Sequence, residues 1–180
     1  MILSWIVLPA VLVSVQAAAA PRPEPKAPVI AEADGYVVIP NAAIPPDKTR
    51  TYRAIFDANR TADQPGQLLP AVNMAGSELN ALAVAGVPRG NARFVIVFHG
   101  PAIDGILNEA GYKAKFGVSN PNLEVLAKLK KAGVELFVCG QNLAFARIDP
   151  ATLSSDVSVA SDALIVLMTY QSRGYAMLTF

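Results

Sequence analysis

The chain of 180 residues holds one cysteine and one histidine, and those two scarcities exclude a good deal. A lone cysteine, Cys139, leaves no internal disulfide, so the fold has to be held by its core and the thiol itself needs a role. A lone histidine, His99, rules out a multi-histidine metal centre, and one His with one Cys falls short of the four ligands zinc usually takes. No metal and no cofactor is expected. Charge is nearly balanced, with 15 Lys plus Arg against 14 Asp plus Glu and a net charge of +1. No basic run exceeds "KLKK", so nucleic acid is not an expected partner. A phosphate loop and a dinucleotide fingerprint are also missing, since "GQNLAF" is neither. Ser154 and Ser155 lack a triad, because the only histidine precedes them in an unrelated turn. There is no internal repeat.

What is present begins with an uncharged apolar stretch, Met1 to Val15, followed by "QAAAAPRPEPKAP". This pattern reads as a signal peptide over residues 1–19, a small-residue cleavage site, and a flexible Pro/Ala-rich linker over residues 20–35. Export to the periplasm is the expectation, with a mature chain that begins near Ala20 and has no stable membrane insertion. The leader carries no Lys or Arg before its apolar run, so an uncleaved anchor is the alternative. Pro9 interrupts that run, which is barely long enough to cross ~30 Å of hydrocarbon. Residues 36–180 suit a single domain.

Within that domain "YVVIP" (36–40) is expected as a short edge strand, stopped by Pro40, Pro45 and Pro46. "TYRAIFDAN" reads as a strand. Leu68 to Ala85 reads as a helix, because Val72, Ala75, Leu79, Leu82 and Gly86 recur at three and four residues. "RFVIVFHG" has the near-continuous apolar run of a strand covered on both faces. A helix should follow, with Asn120 as N-cap, Pro121 at its first position and Lys128, Lys130 and Lys131 near its negative end. "VELFV" is a second buried strand, "SDALIVLMTYQSRG" a buried helix stopped at Gly174, and "YAMLTF" the last strand. Alternation of this kind defines an α/β fold, a mostly parallel sheet of about five strands between helix layers. "ALIVLM" is apolar all round and "YAMLTF" stays apolar to its last residue, so cover of this C-terminal unit by a neighbouring subunit is expected.

In a parallel sheet the residues just past the carboxyl ends of the strands line one crevice, where ligands usually bind. Three groups fall there: Asp57 with Asn59, His99 with Gly100, and Cys139 with Gly140. Both glycines leave room for a ligand near the backbone. Cys139 has two readings, since cysteine is often a small core hydrophobe, yet its thiolate is a strong nucleophile wherever a helix N-terminus or a cation favours the charged form. If residues 140–146 start a helical turn, their N–H groups face the sulfur, and His99 or Arg147 is the candidate for additional positive charge. Gln141 and Asn142 join Gly100, Gly140 and Arg147 as candidate ligand-binding residues. His99 itself either tunes the thiol or fixes the loop "HGPAIDG". Lys113, Lys115 and Arg147 form an anion-binding rim or are solvated surface charges.

The ordered set "VIVFHGPA", "NPNLEVLAKLKKAGVELFVCGQN" and "SDALIVLMTYQSRGYAML" resembles the DsrE/DsrF-like family, of YchN-like fold with flavodoxin-like layering, over roughly residues 50–180. The resemblance implies a parallel-sheet protomer that assembles into homotrimers or homohexamers. It also implies sulfur relay, in which sulfane sulfur travels as a cysteine persulfide on a cysteine that ends a strand as "GVxLxxC", with an arginine downstream. Cys139 and Arg147 match that pattern. The expected function is thus a periplasmic sulfur carrier, at most sulfurtransferase-like, exchanging sulfur with donor and acceptor thiols. The alternative is a non-catalytic oligomeric scaffold or small-anion binder of the same fold, in which Cys139 only packs. The family's sulfur-relay members are cytoplasmic, whereas this chain carries a leader and has "NLAFA" after "CGQ".

Overall fold

The computed structural model describes residues 23–180, so the expected signal peptide and cleavage site lie outside the described residues. Five strands, β1 (Tyr52–Ala58), β2 (Ala92–Phe98), β3 (Glu135–Cys139), β4 (Ser158–Ala160) and β5 (Ala176–Thr179), form one sheet in the order β4-β3-β2-β1-β5. Every pairing is parallel. The helices are α1 (Pro70–Val84), α2 (Glu109–Phe116), α3 (Asn122–Lys131), α4 (Gly140–Ala146) and α5 (Ala163–Ser172). The architecture is therefore the α/β sandwich expected from the alternating pattern.

Strand pleating divides the apolar residues into two layers. Phe56, Phe94, Ile96, Phe98, Leu136 and Val138 point to the side of α1 and α3 and form the larger core with Val72, Val125, Leu126 and Leu129. Ile55, Val95, Val97 and Cys139 point the other way, where α5 covers them with Ala163, Val166, Leu167 and Tyr170. β1 and β2 thus carry five consecutive buried residues each, because both their faces are covered.

Helix ends follow their sequence signals. Asn120 is buried, its Oδ1 accepts from Asn122 N at 2.9 Å, and its amide donates to the carbonyls of Gly105 and Leu107. It caps α3 and ties that helix to the preceding loop, and Pro121 already has helical dihedrals. Asp162 caps α5 by accepting from Leu164 N at 2.6 Å, and Gly174 follows with φ of 80°.

Two expectations need correction. "YVVIP" is not a strand of the sheet: Tyr36 makes one isolated antiparallel bridge to Lys26, the place beside β1 is taken by β5, and the fifth strand is the short β4. Nor is the segment before it merely a linker. Residues 26–36 fold back as a strap on α1, where Ile30 is fully buried and Ala33 nearly so. The fully buried Asn80 holds the strap, with its Oδ1 accepting from Val29 N (2.9 Å) and Ile30 N (3.0 Å). Its amide donates to Ile30 O (2.9 Å) and Asp34 O (3.2 Å). Gly76 permits this approach, since a Cβ there would sit 2.5 Å from Ala33 Cβ. Proline richness limits β pairing but does not prevent packing.

Candidate functional site at the strand ends

The direction of the crossovers determines where a crevice opens. α1, α3 and Leu143 of α4 pack into the larger core, so the connections leaving β1, β2 and β3 lie on one face of the sheet. The connection leaving β4 crosses the opposite face as α5 and returns to the far edge beside β1. Adjacent strands whose connections part to opposite faces mark the usual ligand position. Here those strands are β3 and β4, and the residue that ends β3 is Cys139.

Register brings the other strand-end groups into line. Phe98 pairs with Val138, and Cys139 with Ala160, so His99 and Cys139 occupy the next shared position along neighbouring strands. His99 N donates to Ala58 O at 3.0 Å, which continues the β1–β2 ladder by one residue. His99 Nε2 lies 2.6 Å from Asp57 Oδ1, and the carboxylate is nearly buried while the imidazole is about one-quarter exposed. A carboxylate only accepts, so this contact places a proton on Nε2 and leaves Nδ1 as the free nitrogen. Asn59 donates from Nδ2 to the other Asp57 oxygen at 3.3 Å. The strand-end pattern placed Asp57 at this crevice, but sequence spacing did not single out its pairing with His99, which is 42 positions away.

The remaining candidates separate. Cys139 is 4% exposed, lies within the smaller core, and immediately precedes α4. Gly100 has φ of 53°, the left-handed region that favours glycine. Its N–H donates to Asn142 Oδ1 at 3.3 Å, which links the turn after β2 to α4. Gly140 serves a different purpose from the one expected, since a Cβ there would lie 2.6 Å from Ala160 O. The absent side chain admits β4, not a ligand. Gln141 is exposed, with its amide 3.4 Å from Ser161 O. Arg147 is exposed at the far end of α4, where it ends the helix in a left-handed conformation with φ of 54°. Seven helical residues span about 10 Å, so Arg147 stands at the opposite end of α4 from Cys139. Lys115 pairs with Asp104 at 2.5 Å instead of joining Arg147 in a rim. Among the described residues no cluster of three metal-ligating side chains occurs.

Fold and site together define a class: an all-parallel five-stranded α/β protein with a strand-end cysteine beside a histidine–aspartate pair. The chain belongs to the DsrE/DsrF-like family, whose model matches residues 45–180, a family associated with sulfur relay. Among solved structures it is similar to MTH1491 of Methanobacterium thermoautotrophicum, described as a protein of unknown function, at 16% identity and a TM-score of 0.54. It is also similar to the ychN protein of E. coli, at 17% identity and a TM-score of 0.50. Each comparison covers 72% of this chain and 99% of the other, and at such identities the likeness is one of fold. No curated protein matches the sequence significantly.

Proposed function

We propose that the protein is a sulfur carrier that holds sulfane sulfur as a persulfide on Cys139. The observation that supports this reading is the position of Cys139: it ends β3 where the crossovers part, in register beside His99, whose Nε2 is tied to the buried Asp57. In the transfer the Cys139 thiolate attacks the outer sulfur of a persulfide or polysulfide. A bond forms from Sγ to that sulfur, the donor's own sulfur–sulfur bond breaks, and the electron pair leaves with the donor as its thiolate. No net oxidation occurs. The proton released from Cys139 passes to the imidazole or to water, and reversal onto an acceptor thiol restores the free cysteine. Because Cys139 is almost covered, part of the small core around it has to move for sulfur to enter. The signal-peptide pattern of residues 1–19 supports a periplasmic carrier, and the exposed apolar face of α5 suits a homotrimer or homohexamer.

The burial of Cys139 also favours a second reading, an oligomeric scaffold or small-anion binder in which the thiol only packs. Intact mass after incubation with a polysulfide distinguishes them. The carrier gains one sulfur on the wild type and none on Cys139→Ser, whereas an unmodified wild type leaves the scaffold.

A further inference from the structure

Away from the strand-end site, a cleft of about 400 Å³ opens under the β5 edge of the sheet, on the face that α1 covers. Its volume lies within the range of small-molecule sites, ~300 to 1,000 Å³. α1 leaves it room, because Ser77 and Ala81 present small side chains one helical turn apart. Ala176 and Leu178 of β5 form one wall, and the chain from the end of the strap onward forms the other through Tyr36, Ile44 and Pro46. Among the described residues no strand pairs beyond β5, which is why Leu178, on the core-facing pleat, is still 39% exposed. Ile44 is almost fully exposed at the mouth.

One carboxylate, Glu78, faces this largely apolar enclosure. Among the described residues no cation lies within ion-pairing distance of it. Burial pushes its carboxyl above the usual range, as expected for a charge without a counterion. Arg53 borders the cleft, but it sits on the opposite pleat of β1 from Ala54 and Phe56 and is exposed to water. A cation from outside would supply what Glu78 lacks, and the partly exposed aromatic side chains of Tyr36 and Tyr52 suit both a hydrocarbon and an ammonium group.

We propose that this cleft binds a small organic ammonium ion with an apolar body, its cation at Glu78 and its hydrocarbon against Tyr36, Tyr52 and Leu178. The site is independent of Cys139. The test is an amide NMR titration of the full chain at pH 7 with n-octylamine, n-octanol and octanoate as probes. n-Octylammonium should shift the amides of Ser77, Glu78 and Leu178 and saturate about tenfold more tightly than octanoate, a charge-selective difference of the size one desolvated ion pair confers. Glu78→Gln should keep n-octanol binding and erase the preference for the ammonium, and Ser77→Leu, which fills the floor, should abolish all three. The dispersion of each unliganded spectrum checks that the variant is folded. Equal or tighter octanoate binding, a preference that survives Glu78→Gln, or shifts confined to other surfaces would overturn the proposal, and so would no saturation with n-octylamine.

Discussion

Replacing Asn80 by alanine removes one side chain that makes four hydrogen bonds to a segment about fifty residues earlier in the chain. The two bonds to Ile30 are fully buried, so Asn80→Ala strands an N–H and a carbonyl there, at about 1 to 3 kcal/mol for each unsatisfied group. Relaxation sets a ceiling, because the strap can lift away instead. Lifting exposes Ile30, worth about 2 to 3 kcal/mol, and Ala33, and it is offset in part by the backbone freedom regained. The expected loss is about 3 kcal/mol. For a domain of this size each kcal/mol lowers Tm by about 2 to 4 °C, so Tm should fall by about 6 to 12 °C. Asn80→Asp should cost at least as much, since it keeps the acceptor but loses both donors and buries a charge. Thermal denaturation gives the magnitude, and limited proteolysis should show faster cleavage within residues 23–50 in both variants. A loss below about 1 kcal/mol with unchanged proteolysis would mean that the strap does not depend on Asn80.

Three further outcomes follow from individual contacts. Glu78→Gln should raise Tm at pH 7: a raised folded-state carboxyl contributes stability at low pH that is lost as pH rises through its folded value, so the variant's advantage should vanish below the ordinary carboxylate range. Gly140→Ala sets a Cβ 2.6 Å from the backbone oxygen of Ala160, which cannot swing aside, so denaturant melts should show a loss of about 1 to 3 kcal/mol. Leu164, Ile165 and Met168 are each more than half exposed along α5, and Met177 is exposed on the same face of the sheet. Light scattering should therefore find an oligomer at micromolar concentration that Met168→Glu dissociates, and a wild-type monomer would contradict the subunit contact.

Most of the fold was legible because its signals are local. Phe94 to Phe98 reads as a central strand from composition alone, and the Asn120–Pro121 start and lysine-rich end of α3 lie within twelve residues. What escaped depends on tertiary contacts. β4 is three residues with Ser158 and Val159 exposed, so nothing in its pattern marks a strand. The strap was masked by proline, since Ile30 is buried against α1 and its backbone is paired by Asn80, fifty positions away. At the site, strand ends were enough to select Cys139, His99 and Asp57, but pairing the last two required the β1–β2 register. Arg147 shows the converse, because sequence proximity to Cys139 suggested a shared site that the length of α4 divides. Gly140 was read as an opening for ligand, whereas only the neighbouring strand reveals what fills the space.

A carrier both accepts sulfur and gives it up, so the most direct measurement follows sulfur through Cys139 in both directions. The full chain is loaded with a polysulfide labelled in its sulfane sulfur, freed of donor, and mixed with a small acceptor thiol. Label should bind at one equivalent per wild-type chain, move to the acceptor, and leave the protein with its original mass. Cys139→Ser should take up none, and His99→Ala and Asp57→Asn should load more slowly to the same final extent. Label that fails to bind the folded wild type, or binds equally to Cys139→Ser, would contradict the account.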